Sequence, residues 1–418
     1  MNRLLILLLF TFVVLLVDYY AFQAIKTLII GFSSASQRAI KLVYFSFTAL
    51  VILAIFVYNF GDPDSLARHA RTFIMSFIFI NVLGKLILAL FVFIDDIVRG
   101  VRWAIMKFSS TTSNELGGEP ISRSKFIATT GIIVAAAPII SMSWGIISGA
   151  HDYRIRRLKL PVKALSPKLQ GFKIVQLSDI HSGSFWNKTA VKGGIEMIVE
   201  QKADLILFTG DLVNNKATEM EEWAELFSKI NAPYGVYSVL GNHDYGDYVR
   251  WNTSEEKSAN LEQLLATQNY MGWEVLRNEH RSIDVDGERI GLVGVENWSA
   301  KERFPKYGDL DLATKELPKD TSVNILMSHD PSHWREEVIT KYPNMNLTLS
   351  GHTHGMQFGV EIPGFKWSPV QYMYKEWAGL YQSEEQYLYV NRGFGYIGYP
   401  GRFGILPEIT VIELENKA

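Results

Sequence analysis

The sequence predicts an α/β domain of two packed sheets covered by helices, preceded by about four transmembrane α-helices. Apolar residues crowd the first 150 positions of the 418-residue chain, and most of the charge follows them. Beyond residue 153 the pattern changes to short, β-rich runs separated by amphipathic stretches. Those runs end repeatedly in Asp, Asn and His. Residues 1–150 therefore read as a membrane domain and residues 151–418 as the domain that carries the chemistry.

Segments 4–22, 42–60, 73–94 and 126–147 are almost unbroken in apolar character, and each approaches the ~20 residues that a helix needs to cross ~30 Å of hydrocarbon. The second and fourth hold no charge, whereas the first holds Asp18 and the third Lys85 near its middle. A charge at that depth is costly unless it snorkels or meets another helix. A packing or interface contact is expected at both, ahead of an ion pathway. The loops on either side of the second and third spans differ in basic content. Lys26, Arg38 and Lys41, and then Arg99, Arg102, Lys107, Arg123 and Lys125, outnumber Arg68 and Arg71. The excess places those two loops in the cytoplasm and the catalytic domain outside it, as a multi-pass protein of the cell membrane. Arg154, Arg156, Arg157 and Lys159 pull the other way. Ser122-Arg123-Ser124-Lys125-Phe126-Ile127, ahead of the fourth span, has the form of a degraded twin-arginine export signal and leans outward again.

In the second domain, 172–177, 204–208, 236–240, 290–295, 323–327 and 347–349 read as buried strands. Helices are expected at 191–201, 219–230, 258–269 and 333–341, and the later runs 386–391 and 409–414 alternate as a half-exposed sheet would. The net charge of −2 argues against a nucleic-acid partner, which requires clustered Lys and Arg. With no cysteine in the chain, any metal must be held by oxygen and imidazole.

The strand ends carry Ser178-Asp179-Ile180-His181, Gly210-Asp211-Leu212-Val213-Asn214, Gly241-Asn242-His243-Asp244, Ser328-His329-Asp330 and Gly351-His352-Thr353-His354. Ligands of open α/β sheets gather outside the carboxyl ends of the strands, so the five loops converge on one place. Asp179, His181, Asp211 and His354 could hold one divalent cation, and Asp211, Asn242, His329 and His352 a second, with Asp211 bridging through its two oxygens. Two ions ~3.5–4 Å apart share a hydroxide and clamp the attacking and leaving oxygens of a displacement at phosphorus. Only Asp179, Asp211 and that hydroxide carry negative charge, so a positive centre persists to attract a phosphate ester. Oxygen and imidazole donors suit Mn, Fe, Zn and Mg to differing degrees, and affinity order alone does not select among them. Gly210, Gly241 and Gly351 each precede a ligand, where a turn or a close backbone approach favours a residue without Cβ. His69, His151, His280 and His333 fall outside these motifs and are expected on the surface or behind the site.

The ordered set resembles the calcineurin-like metallophosphoesterase superfamily, with motifs D-x-H, G-D-x-x-D, G-N-H-D/E, H and G-H-x-H, over about residues 153–414. The likeness extends to a bacterial membrane-linked branch through Gln357, Asn391-Arg392-Gly393, Arg402-Phe403-Gly404 and Pro407-Glu408-Ile409. It implies a four-layer αββα sandwich and metal ligation by the seven residues named above. It also implies that His243, beside Asn242, contacts the phosphate and protonates the leaving group. One position departs: Asn214 stands where the second Asp of G-D-x-x-D pairs with that histidine. An amide still orients an imidazole, but lends its cation no charge. A substrate with a good leaving group, such as a diphosphate, needs less proton donation.

Phe365, Trp367, Tyr372, Tyr374, Trp377 and Tyr381 enrich the stretch between Phe358 and Tyr399, as a lipid-facing surface, an acyl groove or ordinary core would. Related enzymes cleave UDP-linked diacylglucosamine, so the resemblance implies a hydrolase of lipid-linked phosphodiesters or diphosphates. The alternatives are the same chemistry on soluble phosphomonoesters or nucleotides, and a non-catalytic, metal-bound membrane receptor or scaffold.

Overall fold

The computed structural model describes residues 3–60, 68–108 and 123–417, and the chain divides into two compact units at Trp144/Gly145. In the first unit the four apolar runs are helices: α1 (Arg3–Ile29), α2 (Ser34–Phe60), α3 (Arg68–Phe108) and α4 (Arg123–Ile147). All four are long and apolar enough to cross a membrane. Their packing is inside-out relative to a water-soluble bundle. Small residues, Ala21, Ala24, Ala89, Ala128 and Ala135, fill the contacts, while Leu8, Phe12, Leu53, Phe79 and Ile140 stand exposed. Such an arrangement is stable where the surroundings are as apolar as leucine and close approach of backbones provides the attraction. Gly131 makes that approach possible, since a Cβ there would lie 2.8 Å from Phe91 Cβ.

The two intramembrane charges meet each other. Lys85 forms an ion pair with Asp18, Thr48 Oγ1 donates to Asp18 Oδ2 at 2.8 Å, and Lys85 Nζ donates to Thr48 Oγ1 at 3.0 Å. The helices also run further than the expected spans. Lys26, Arg38, Lys41, Arg99, Arg102 and Lys107 lie on helices and not in loops, and the 41 residues of α3 rise about 60 Å, well beyond one hydrocarbon layer. Gly61–Ala67, Ser122 at the head of the export-like string, and the side chains of Arg68, His69, Arg123 and Ser124 lie outside the described residues.

The second unit is a sandwich of two six-stranded sheets. Its strands are β1 (Arg154–Lys163), β2 (Lys173–Leu177), β3 (Leu205–Phe208), β4 (Val236–Ser238), β5 (Trp273–Val275), β6 (Glu279–Val285), β7 (Glu288–Gly294), β8 (Val323–Met327), β9 (Leu347–Ser350), β10 (Val360–Ile362), β11 (Phe365–Trp367), β12 (Gly379–Ser383), β13 (Gln386–Val390) and β14 (Glu408–Lys417). One sheet runs β1-β14-β2-β3-β4-β5, the other β12-β13-β9-β8-β7-β6, and β10-β11 is a separate hairpin. Strands β2 to β5 are mutually parallel, as are β7, β8, β9 and β13.

Ile174, Leu205 and Leu207 of the first sheet share one buried core with Leu292, Ile325 and Leu347 of the second. The opposite faces meet helices. Val175, Leu177, Ile206 and Phe208 pack on Ile195 and Ile198 of α5 (Lys188–Val199) and Phe227 of α6 (Ala224–Phe227). Val293 and Leu326 pack on Leu310 of α8 (Leu310–Thr314) and on Trp334 and Val338 of the turn leading to α9 (Ile339–Lys341). The helix α7 (Ser254–Tyr270) completes the first outer layer through Leu264. The architecture is thus the expected four-layer αββα sandwich. Burial on both faces is why these strands read as continuous apolar runs.

Two local expectations are corrected. Residues 386–391 and 409–414 are not half-exposed: β13 is buried throughout, and β14 lies between β1 and β2. The helix expected over 219–230 is interrupted after Met220, with Glu219 drawn away to accept the Asn214 amide at 2.6 Å. Arg154, Arg156, Arg157 and Lys159 form the outer strand β1, which the sequence did not mark and where cations also discourage edge-to-edge pairing.

The late motifs are structural. Glu408 is fully buried, and its carboxylate accepts from Arg392 Nη1 at 2.6 Å, Tyr389 Oη at 2.5 Å and Thr410 Oγ1 at 2.6 Å. Burial opposes its ionisation, but Arg392 overrides this and holds the carboxyl below its ordinary range. We expect Glu408→Ala, which leaves buried Arg392 with Glu361 as its remaining carboxylate and unpairs the Tyr389 and Thr410 hydroxyls, to cost about 3 kcal/mol in urea unfolding. A loss below about 1 kcal/mol would mean that the network contributes little.

Candidate metal centre

Parallel strands deliver the five motifs to one edge of the sandwich. Asp179 and His181 follow β2, Asp211 follows β3, and Asn242 and His243 follow β4 in one sheet; His329 follows β8, and His352 and His354 follow β9 in the other. Hydrogen bonds across the gap fix the two sets together. His329 Nδ1 donates to Thr209 O at 2.7 Å, the His352 amide donates to both Asp179 carboxylate oxygens at 3.0 Å, and Gln176 Nε2 donates to Ser350 O at 2.9 Å.

The backbone is strained at this edge. Asp179, His181, Asp211, His352 and His354 all have φ between 48° and 68°, the left-handed region that costs a residue with Cβ about 1–2 kcal/mol. The glycines divide by reason. Gly210 has a φ of +95°, whereas Gly241 and Gly351 are needed for space alone. A Cβ on Gly241 would strike Asp211, and one on Gly351 would strike Ser178 and Asp179.

All seven expected ligand side chains converge. One donor atom from each of Asp179, His181 and His354 lies within 4.8 Å of the others, and the same holds for Asp211, His329 and His352. Asp211 joins the groups, its Oδ2 being 3.1 Å from His329 Nε2 and 3.5 Å from His181 Nε2. Asn242 directs its Oδ1 to within 2.8 Å of His352 Nδ1, while its Nδ2 donates to Tyr248 Oη at 3.0 Å, which fixes the amide with its oxygen inward.

These contacts fit cations. His181 Nε2 and His354 Nε2 face each other at 3.0 Å, a gap that holds one proton at most, so at least one lone pair points at a neighbouring nitrogen. Burial holds His181 and His352 below the ordinary imidazole range, in the neutral form that ligates metals. Burial also opposes ionisation of Asp211, but His329 and His243 override it and keep the carboxyl well below its usual range. His329 is pushed up to about 10 against its own burial, because Asp211 draws positive charge to that spot. A divalent cation satisfies the same demand.

His243 corrects one expectation. Its Nδ1 donates to the main-chain carbonyl of Asn214 at 2.7 Å, while the Asn214 amide side chain is turned to Ser184 Oγ at 2.9 Å. The ring is oriented by backbone, and the departure from Asp at 214 leaves its orientation intact. His243 N donates to Asp211 Oδ1 at 2.8 Å, which sets the ring at the mouth of a cavity of about 210 Å³.

Several residues that the sequence placed in motifs or in the aromatic stretch, but gave no role of their own, support the site. Asp244 is buried and gathers the amides of Gly241 and Asp211 at 2.9 Å and of Leu212 at 2.8 Å, tying two ligand loops together; burial and the nearby Asp211 raise its carboxyl to about 7. Behind His352, Nε2 meets Tyr374 Oη at 2.9 Å, and Tyr374 donates to Asp330 Oδ2 at 3.2 Å, a chain that orients an imidazole whose other nitrogen faces the site. The final residue of the fourth motif thus acts from behind the ligands. Arg402, fully buried, donates to Gly395 O and approaches His354 Nδ1 at 3.1 Å.

Of the four remaining histidines, His333 is buried behind the site with Nδ1 2.9 Å from Ser328 Oγ, His280 bonds Ala313 O, and His151 sits among Tyr153, Trp186 and Tyr396. The aromatic stretch is mixed in use: Tyr374 and Trp377 are buried against the site, and Phe365 and Tyr372 are exposed.

A family profile described as calcineurin-like phosphoesterase matches residues 172–356. The metallophosphoesterase YkuE of Bacillus subtilis is 34% identical over 303 residues, 71% of this chain and 98% of that protein. The chain belongs to the calcineurin-like metallophosphoesterases. A second profile, for a four-helix transmembrane domain of such phosphoesterases, matches residues 2–150. A transmembrane protein with metallophosphoesterase domain from Danio rerio is 28% identical over 92% of this chain and 82% of its own length. The UDP-2,3-diacylglucosamine pyrophosphatase LpxG of Chlamydia trachomatis is 26% identical over 67% of this chain and 94% of its own length. This is a membrane metallophosphoesterase.

Two outcomes follow from the geometry. Gly351→Ala, by driving a methyl group into Asp179, should weaken metal binding at least about ten-fold in chelator competition; wild-type affinity would count against the close approach. Asn214→Ala should keep turnover within about three-fold of the parent, whereas His243→Ala loses about a hundred-fold or more. Equal losses in the two variants would return the orienting role to the Asn214 side chain.

Proposed function

We propose that this metallophosphoesterase hydrolyses a lipid-linked phosphodiester or diphosphate such as UDP-diacylglucosamine, using two divalent cations. Asp179, His181, Asp211 and His354 hold one cation, and Asp211, Asn242, His329 and His352 the other. The reading rests on Asp211 Oδ2, which faces a candidate ligand of each group at 3.5 Å and 3.1 Å. When bound, two such ions activate water and stabilise charge developing at phosphorus.

The chain's own contribution is largely electrostatic. Two carboxylates among seven donors leave the centre cationic, which favours an anionic substrate. His243, with Nδ1 committed to the Asn214 carbonyl, presents Nε2 to the cavity and there delivers a proton to the leaving oxygen. A main-chain dipole stabilises its cation less than a carboxylate does, which suits a phosphate leaving group.

Two observations support a lipid-linked substrate. Four membrane helices keep the enzyme at a bilayer, and the cavity lining includes Phe304, Met356, Val370, Met373 and Ile397, an apolar set of little use to a wholly polar substrate. The distribution of Lys and Arg between the spans favours an extracytoplasmic catalytic unit.

The test is a screen of purified protein with Mn, Fe, Zn or Mg against phosphomonoesters, phosphodiesters, nucleotide diphosphate sugars and UDP-diacylglucosamine. We expect diester or diphosphate cleavage that chelators abolish and that Asp211→Asn lowers at least about a hundred-fold, as loss of a shared charged ligand implies. Folded, metal-loaded protein that cleaves no phosphoester would overturn the reading, and a preference for soluble monoesters would remove its lipid-linked part.

A further inference from the structure

Among the described residues lining the cavity, one carries a permanent positive charge. Arg303 lies in the segment between β7 and α8, is exposed, and forms no ion pair with a carboxylate among the described residues. Its guanidinium rests on the Phe304 ring at 4.6 Å and lines the cavity beside Tyr374, whose hydroxyl meets His352 Nε2 at 2.9 Å. One phenol therefore separates this arginine from a candidate metal ligand. A guanidinium has five donors to offer an incoming anion.

The surroundings continue the pattern. Met373 and Tyr374 also wall a neighbouring cavity of about 330 Å³, which holds three cations, Lys301, Arg335 and Lys375, against Glu336 and Glu376. Arg335 is tied to Glu376, while Lys301 lies over the Tyr374 ring at 5.2 Å. Three cations against two carboxylates leave the wall of that neighbouring cavity with a net positive charge. The apolar side chains Met356, Val370 and Ile397 line the catalytic cavity itself.

We propose that Arg303 binds a second, non-scissile phosphate of the substrate, so that this enzyme is selective for diphosphates over esters with a single phosphorus. The assignment rests on the reading of the site as a phosphoester hydrolase and names the group that selects among its substrates. A bidentate guanidinium matches the paired oxygens of a phosphate, and a point-charge ammonium matches them less well. The scissile phosphorus faces the cations, the next phosphate faces Arg303, and the polar remainder points toward Lys301 and Lys375. Arg303 is a binding residue that leaves bond cleavage to the metal-bearing groups.

The experiment compares the full-length protein in detergent with Arg303→Gln and Arg303→Lys. Hydrolysis of bis(p-nitrophenyl) phosphate is measured with methylphosphonate or methylenediphosphonate as inhibitor, and cleavage of UDP-diacylglucosamine is followed separately. For wild type, the diphosphonate should inhibit more strongly than the monophosphonate. Arg303→Gln should shrink that ratio about ten-fold and raise KM for UDP-diacylglucosamine relative to that for the diester by a similar factor, with Arg303→Lys in between. Metal chelation by the diphosphonate acts equally on all three proteins and cancels in the comparison. Unchanged ratios in Arg303→Gln, or equal losses with both inhibitors, would overturn the assignment while leaving the hydrolase reading in place. Absence of diester hydrolysis by the metal-loaded wild type would instead remove the reading on which it rests.

Discussion

Asp211 is buried with one carboxylate oxygen between His181 and His329 and the other accepting the His243 amide, so a single side chain ties loops from both sheets. Removal of such a charge from water is expensive unless positive charge and donors replace the lost hydration. The loops can supply donors but have little cationic charge of their own. Asp211 therefore raises the proton affinity of His329, and a divalent cation meets that demand more fully. The sandwich must hold imidazoles and carboxylates close together before any cation arrives, and much of the surrounding hydrogen bonding serves that end.

The cost is visible in the backbone. Five of the seven converging residues sit in the left-handed region, a penalty of several kcal/mol in sum at about 1–2 kcal/mol each. Strain persists where neighbouring structure over-determines it. Here Asp244 binds the amides of Gly241, Asp211 and Leu212, Glu219 binds that of Asn214, and Asp179 takes that of His352 from the other sheet. Carboxylates thus work in two ways at this edge: two point at the candidate cation positions, and others clamp the turns that aim them. The interrupted helix after Met220 is a consequence, because Glu219 serves the loop instead of a helical face.

That division explains what could be read from the residues. The positions of the converging candidate ligands were legible because chemistry restricts them to His, Asp and Asn, and because each follows an apolar run read as a buried strand. The clamping was not: Asp244 stood inside a motif and Glu219 in an expected helix, and neither shows its amide partners in the sequence. The orientation of His243 was legible in part: the sequence placed attention on the Asn214 side chain, whereas the carbonyl of that residue makes the bond. A carbonyl is common to every residue and leaves no mark in composition. Tyr374 was hidden among aromatics, and only the fold separates it, packed behind His352, from exposed Tyr372. Basic residues misled for the opposite reason. Charge patterning detects them but not their secondary structure, so Arg99 and Lys107 read as loop when α3 carries them, and β1 went unnoticed beneath its alternating cations.

The two units handle buried charge in opposite ways. In the membrane unit Asp18 meets Lys85, with Thr48 bonding both, so formal charge cancels within the cluster. Cancellation is what a hydrocarbon environment demands of groups that serve as packing contacts. In the catalytic unit Asp179 and Asp211 face histidines and an asparagine, neutral donors that leave the charge of any bound cation largely uncompensated. A lysine in place of one of those imidazoles would settle the carboxylates without a metal, as Lys85 settles Asp18, and would leave nothing to polarise a phosphate. The preference for imidazole over ammonium at these strand ends is therefore the feature that turns a stable buried cluster into a site with chemical potential.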